Sequence, residues 1–394
     1  MILEDLLLSN FRNYASSSFK FNPKLNFIFG ENGNGKTNIL EAVSMICYTK
    51  SFLQSSESDC VRYGMKEFEI EGNFFNNSGL RSNVMFTYDI ESSKKLVTYN
   101  NEYINRLSSF FGKIPLVVLS PIDIKLTTGT PADKRRNFDI LISQISRLYL
   151  DDLKRYNRIL KQKNSLLKDN MVSGRYNRKD LGEMLGAWDK ELIETGVRII
   201  IKRLLFIKEF QDYLVLHFRD IAGANYIPLL DYESELMEER DDDVPDESVL
   251  KEKFAVILAE KRIIEIKRGM SLAGPQRDNY IFKMKKNGSV FELKNFASQG
   301  EHKIFIVALK LSEYIYLRDK LESDLCGEPI LLLDDLFSEL DQNRTQRISA
   351  ILPKFNQLFI TTTDNGYQNI LKKYFNRENI TAFNIVNGTS KVVN

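Results

Sequence analysis

The sequence predicts an α/β protein, a P-loop nucleotide-binding core of mixed sheet interrupted by a long helical insertion, and three observations carry that prediction. The octet GENGNGKT at Gly30 to Thr37 sits between a short β-forming run and a helix pattern. A second strand that ends in two acids, ILLLDD at Ile330 to Asp335, lies near the other end of the chain. Between them the pattern from Asp133 to Lys208 is helical, so most of the chain is inserted into, or wrapped around, one core.

The first strand is Leu25-Asn26-Phe27-Ile28-Phe29, and the helix pattern continues through Asn38 to Val43. Gly30, Gly33 and Gly35 let the backbone turn tightly, with Glu31, Asn32 and Asn34 between them. Successive N–H groups up to Asn38, together with the positive end of the helix, then point at phosphate oxygens. Lys36 is placed to reach the β- and γ-phosphates of ATP, and the Thr37 hydroxyl to ligate Mg²⁺. A glycine-rich turn matching by chance would not produce all eight positions in this context.

Ile330 to Leu333 is apolar at every position, as a strand buried on both faces is, and it delivers Asp334 and Asp335. Asp334 is expected in the Mg²⁺ shell, and Asp335 where a carboxylate orients or deprotonates an attacking water. Ser298-Gln299-Gly300-Glu301-His302 stands just ahead of a helix pattern from Lys303 to Tyr316. A serine and a glycine there make either a plain helix cap or a second anion site with no lysine of its own.

In this order the motifs resemble the ABC-type ATPase head, in which the signature serine of one subunit contacts the γ-phosphate held by the Walker A loop of another. The resemblance implies that Ser298 and Gly300 act across a dimer, and that Ser338 to Asp341 is the D-loop, with Asp341 at the same interface. Arg12 and Asn13 stand where related repair heads contact the adenine or ribose, and Arg62 is a candidate for phosphates or the opposing subunit. Among such heads, the opening MILEDLLLSNFRNY, SPIDIKLTTGTPADKRRNFD, the pair AGPQRDN and FASQGEH, and PILLLDDLFSELDQNR with FITTTD are similar to the RecF family of bacterial recombination mediators. These segments are spread along the whole chain. What the similarity implies is an SMC-like head without a long coiled coil and a cytoplasmic ATPase of DNA repair and replication. Its ATPase would be weak and stimulated by DNA. It would close as an ATP-dependent homodimer on double-stranded DNA and single-strand/double-strand junctions at gaps, and help load RecA with RecO and RecR.

Several positions depart from these patterns. The last core strand runs into Thr361-Thr362-Thr363-Asp364, with no switch histidine, so Thr363 is expected to meet the γ-phosphate. The second acid is Asp335 where many ABC ATPases have glutamate, and no glutamine stands near Leu119-Ser120-Pro121. Slow hydrolysis, suited to a switch, is the expected consequence. Gly274-Pro275-Gln276-Arg277-Asp278-Asn279 replaces the GPHRDD common in the RecF family, leaving Arg277 for DNA, nucleotide or a structural ion pair.

The chain has 394 residues, 43% of them hydrophobic, enough for two or three domains. No run of eighteen apolar residues occurs, Glu4 and Asp5 interrupt the apolar start, and a membrane anchor is not expected. Cys47, Cys60 and Cys326 form no CxxC pair, and with only His217 and His302 they suggest buried reduced thiols. The net charge of +2 conceals a segregation: residues 131–210 hold 18 Lys and Arg against 11 Asp and Glu, whereas residues 211–250 hold 2 against 12. Arg135, Arg136, Lys154, Arg155, Arg158 and Lys161, with Lys163 and Lys168 beyond them, form a basic helical segment suited to sequence-independent phosphate contact, or simply a solvated face.

The expected organisation is a first ATPase lobe at 1–115, a predominantly helical insertion at 116–290, and a return to the core at 291–394. Leu185, Trp188, Leu192, Gly196, Ile199 and Arg203 mark a helix that packs on the basic one, without the sustained heptads of a long coiled-coil arm. The acidic stretch 238–247 reads as a solvated connector or a docking patch. A transporter subunit would want the Q-loop glutamine and switch histidine. A monomeric P-loop kinase leaves FASQGEH without purpose, and another SMC-like repair or defence ATPase is the remaining alternative.

Overall fold

The computed structural model describes residues 1–76, 78–174, 176, 178–223, 226–237, 244–286, 288–321 and 327–393; Cys326 and positions 238–243 of the acidic stretch lie outside the described residues. Two compact units result, the first Met1–Thr127 with Leu216–Ile227 and Ala297–Asn394, the second Thr128–Val215 with Pro228–Phe296.

The first unit contains a six-stranded sheet in the order β15 (Thr389–Val393), β14 (Ile380–Val386), β3 (Leu25–Phe29), β13 (Gln357–Thr362), β12 (Ile330–Leu333), β8 (Leu116–Leu119). The neighbours from β14 to β8 run parallel, while β14 and β15 form an antiparallel hairpin. Every residue of β3, β12 and β13 is buried, which is why β12 reads as an unbroken apolar run and the other two show no polar–apolar alternation. The register pairs Phe29 with Thr362 and Leu333 with Ile360, so the C-terminal ends of β3, β12 and β13 lie side by side. In open parallel sheets that edge is where ligands bind.

A second, antiparallel sheet runs in the order β2 (Tyr14–Lys20), β1 (Ile2–Phe11), β4 (Glu67–Phe75), β5 (Arg81–Asp89), β6 (Lys94–Tyr99), β7 (Glu102–Tyr103). Phe68, Ile70 and Phe74 of β4 alternate inward and join Leu6, Leu8, Val84 and Phe86 in one core. That core also takes Ile39, Val43 and Ile46 from helix α1 (Lys36–Tyr48) and Ile28, Leu332 and Phe359 from the parallel sheet, so the helix after the glycine loop is gripped by both sheets. Cys47 and Cys60 are buried free thiols, and burial pushes the Cys60 thiol up to about 12.

The second unit is built on α2 (Pro131–Ile145), α3 (Arg147–Ser173), most of α4 (Arg178–Ala222) and α5 (Glu247–Arg268). It also holds a three-stranded sheet, β11 (Ser289–Glu292), β10 (Asn279–Lys286) and β9 (Tyr226–Glu233), which a helical reading of the insertion does not anticipate. Leu167 of α3 packs with Leu181 and Leu185 of α4, as the apolar spacing predicts. Gly196 of α4 admits no side chain, because a Cβ would fall 2.9 Å from Phe254 and 3.0 Å from Tyr156. Among the described residues no helix is long and apolar enough to cross a membrane.

One charge expected on the exterior of α3 is not there. Lys163 falls on the stripe of Tyr156, Ile159 and Leu167 and is wholly buried, its ammonium 2.8 Å from Asp189 of α4 and 2.8 Å from Glu265 of α5. Arg262 approaches the same Asp189 at 2.5 Å. Three helices are thus joined by a buried ionic cluster that tolerates no missing member. Replacing Lys163 with alanine should lower the unfolding free energy by about 3–5 kcal/mol, the usual loss when one partner of a buried pair is removed; urea denaturation at neutral pH checks it.

Candidate nucleotide site

At the end of β3 the chain turns through Gly30 (φ 151°), Gly33 (φ 81°) and Gly35 (φ 104°). Gly33 and Gly35 hold φ values that disfavour any side chain. Space matters as much: a Cβ at Gly30 would meet the Ile385 carbonyl oxygen at 2.4 Å, and one at Gly35 would meet the Asn13 side chain at 2.5 Å. The loop is therefore walled on two sides. Asn13 donates to the Asn34 carbonyl at 2.8 Å and accepts from the Asn38 amide at 2.9 Å. Asn34 in turn donates to the Ile385 carbonyl at 3.0 Å, and Gly388 N–H donates to the Asn34 carbonyl at 3.2 Å. Glu31, Asn32 and Gly33 form the exposed crest between these walls.

Helix α1 begins at Lys36 with Gly35 as its N-cap, without a side-chain cap and without an acid in its first turn. Its leading N–H groups and the positive end of its dipole remain for an anion. The Lys36 ammonium folds over the loop, donating to the Gly30 and Glu31 carbonyls at 2.8 and 2.9 Å. Burial pulls its pKa down from the ordinary lysine value, against the pull of Asp334 and Asp335.

The Thr37 hydroxyl lies 3.0 Å from both carboxylate oxygens of Asp334. Asp334 is almost wholly buried at the end of β12, and burial raises its pKa, opposed by the hydroxyls of Thr361 and Thr37. Thr361 donates to Asp334 Oδ1 at 2.5 Å and accepts from the Asp335 N–H at 2.9 Å. Asp335 itself sits at φ 51°, a left-handed turn that aspartate tolerates better than most residues. A buried carboxylate beside a hydroxyl, both hard oxygen donors, fits Mg²⁺.

Ser298 and Gly300 head helix α6 (Gln299–Lys320). The Ser298 hydroxyl accepts from the Glu301 N–H at 3.3 Å, and the Glu301 carboxylate accepts from the Ser298 N–H at 2.8 Å, a reciprocal capping box. A Cβ on Gly300 would fall 3.0 Å from the Arg344 guanidinium. Asp341 caps helix α7 (Gln342–Ile351), accepting from the Arg344 N–H at 2.8 Å, with the Arg344 guanidinium 3.1 Å from its other oxygen.

Thr363 is exposed beyond β13, and the hydroxyl that touches the buried acid is Thr361. Arg12 makes a two-pronged pair with the fully buried Glu41, both contacts at 2.7 Å, and also donates to Ser55 and to the Asp59 carbonyl. Its guanidinium thereby clamps the β1–β2 turn to α1, since a buried carboxylate requires a partner. Arg62 adds a backbone bond from its N–H to the Asn10 carbonyl at 2.8 Å.

In the second unit Arg135 is half-buried and donates to the Asp278 carbonyl, whereas Arg136, Lys154, Arg155, Arg158 and Lys161 are exposed. Arg155 pairs with Glu191 at 3.1 Å; Lys154, Arg158 and Lys161 follow one another at helical spacing on α3. Gln276, at the family's histidine position, takes a hydrogen bond from Tyr156, and Arg277 donates to the Ser271 carbonyl at 2.8 Å.

Strand, glycine loop, uncapped helix and buried acid define an ATPase head of the ABC type. The sequence model of the RecF/RecN/SMC N terminal domain family matches residues 2–381. A DNA replication and repair protein RecF of Chloroherpeton thalassium is 36% identical over 366 residues, 92% of this chain and 95% of that protein. One of Streptococcus gordonii is 31% identical over 99% of this chain and its own full length. A solved structure of the recombination mediator protein RecF with ATP, of the RecFOR pathway, superposes with a TM-score of 0.85 at 27% identity, covering all of this chain and 98% of the other. An SMC head bound to the winged-helix domain of ScpA, at 14% identity and TM-score 0.54, shares the fold. The chain belongs to the RecF family of DNA replication and repair proteins.

The raised pKa of Asp334 has a definite sign. An acid whose folded pKa lies above its unfolded one adds stability below the unfolded value and loses it as pH rises through the folded value. Asp334→Asn should therefore raise the thermal midpoint of the metal-free protein at neutral pH, with the gain shrinking as pH falls towards about 3.9. Calorimetry of the two proteins across that range measures it.

Proposed function

We propose that this chain is an ATP-gated DNA-binding switch of recombinational repair and replication. The observation that carries the reading is the contact of Thr37 and Thr361 with Asp334, which joins the glycine loop to the acid-bearing strand beside an uncapped helix. In this reading Gly30, Glu31, Asn32, Gly33, Asn34, Gly35 and Asn38 cradle the triphosphate of ATP. Lys36 leaves its loop carbonyls for the β- and γ-phosphates. Thr37 and Asp334 would hold Mg²⁺, which would neutralise charge on the bound triphosphate. Asp335 orients the attacking water, and Thr363, at the mouth of β13, meets the γ-phosphate side. Arg12 serves the same site from behind, holding α1 through Glu41.

Ser298, Gly300 and Asp341 act on the nucleotide of a second copy, so two ATP molecules close a homodimer and hydrolysis reopens it. Slow hydrolysis follows from the aspartate at position 335 and the absence of a switch histidine, and its stimulation by DNA belongs to the same reading. The solved RecF relatives, described as recombination mediators of the RecFOR pathway, support a role in that pathway beside RecO and RecR; a cytoplasmic location and a part in loading RecA belong to the same reading. The first unit, which adds residues 116–127 and 216–227 to the expected lobes 1–115 and 291–394 and yields 291–296 to the second, would serve as the ATPase head; the second would be the inserted lobe, whose Arg135, Arg136, Lys154, Arg155, Arg158 and Lys161 contact the phosphates of double-stranded DNA and junctions without reading bases.

Two measurements test this. Molar mass in solution should double only with a non-hydrolysable ATP analogue and Mg²⁺. Ser298→Arg should then bind nucleotide yet stay monomeric, and Lys36→Met should lose nucleotide itself; normal dimerisation of Ser298→Arg would remove the shared site. On a gapped duplex, replacing Lys154, Arg158 and Lys161 with alanine should flatten the dependence of log affinity on log salt by about 0.9 for each phosphate that is no longer neutralised.

A further inference from the structure

Helix α6 carries, five residues after Ser298, a lysine that the nucleotide site does not use. Lys303 is 8% exposed. Its ammonium donates to the Asp335 carbonyl at 3.1 Å and to the Ser338 hydroxyl at 3.3 Å, and Ser338 donates to the same carbonyl at 3.0 Å. The Asp335 N–H is held by Thr361, which also holds Asp334. One continuous set of hydrogen bonds therefore runs from the Asp334 carboxylate through Thr361 and the Asp335 peptide to Lys303 on the first turn of α6. Burying an ammonium against a carbonyl and a hydroxyl is unfavourable unless the geometry is kept, and burial indeed pulls this lysine's pKa down. Any shift of the Asp335 turn must either carry Lys303 with it or leave the ammonium short of partners.

We propose that Lys303 is a positioning residue that couples two half-sites within one subunit, transmitting the state of the Asp334–Asp335 turn, which serves the subunit's own nucleotide, to the helix that presents Ser298 to its partner's. The inference rests on the shared-site reading above. It assigns to Lys303 no contact with either nucleotide. Its effect is on how the occupancy of one site is felt at the other.

Lys303→Met keeps the length and apolar stem and removes the donor; Lys303→Arg keeps the charge. Three readouts separate the possibilities: nucleotide affinity of the monomer, dimerisation with a non-hydrolysable ATP analogue, and the Hill coefficient of hydrolysis against ATP. Lys303→Met should bind nucleotide within about twofold of wild type yet need roughly tenfold more protein to dimerise, the size of a typical coupling between sites. Its hydrolysis should lose the cooperativity of the wild type, and Lys303→Arg should regain much of both. A Lys303→Met protein that dimerises and cooperates as wild type overturns the coupling while leaving the shared site standing. A loss of monomer affinity and thermal midpoint in step with dimerisation, equal in the arginine variant, reduces Lys303 to a packing residue and overturns it too. Wild-type protein that stays monomeric with the analogue removes the shared site and this inference together.

Discussion

The architecture of the first unit turns on one buried carboxylate. Asp334 emerges from a strand with no exposed residue, and its two oxygens are met by hydroxyls from two other parts of the chain, Thr37 at the head of α1 and Thr361 at the end of β13. A desolvated carboxylate is costly unless its lone pairs are satisfied. These partners satisfy it only if β3, β13 and β12 keep the register that sets their C-terminal ends level. The acid is thus held at a raised free energy, ready for a cation, by the same parallel pairing that builds the sheet.

The second unit solves a related problem with different chemistry. Its helices α3, α4 and α5 meet around the buried charges of Lys163, Asp189 and Glu265, with the partly exposed Arg262 at Asp189, and α3 and α4 also share the apolar cluster of Leu167, Leu181 and Leu185. A purely apolar seam of similar volume would hold as tightly. A buried arginine, Arg203, reaches Asp139 at 2.9 Å and the Pro275 carbonyl at 2.8 Å, tying α4 to α2 and to the segment before β10. Both clusters are directional, so they fix how the helices are registered along one another, which packing of leucines fixes only loosely.

Much of this was legible because the informative residues are adjacent in sequence. The strand–loop–helix of Gly30 to Thr37, the apolar β12 with its two acids, and the Ser298 helix start each carry their own local signature, and the structure forms each of them. What was not legible depends on partners far away. Nothing beside Arg12 announces Glu41, and nothing beside Lys163 announces Asp189 and Glu265, although the apolar stripe through Tyr156, Ile159 and Leu167 does put position 163 on the inward face. Among the three threonines, only the pairing of β12 with β13 shows that Thr361, rather than Thr363 beyond the strand's end, comes onto Asp334. The short sheet of the insertion escaped because β9 and β11 show weak alternation, flanked by helices that dominate the composition.

The hairpin of β14 and β15 closes one wall of the glycine loop through Ile385 and Gly388, about 350 residues after the loop itself. On a ribosome, residues 30–37 leave the exit tunnel about 350 residues ahead of the carbonyl and N–H that brace them. The loop of a nascent chain accordingly lacks one side until residues 385–388 have followed it. The loop therefore takes its final shape only after the whole of the second unit has been made.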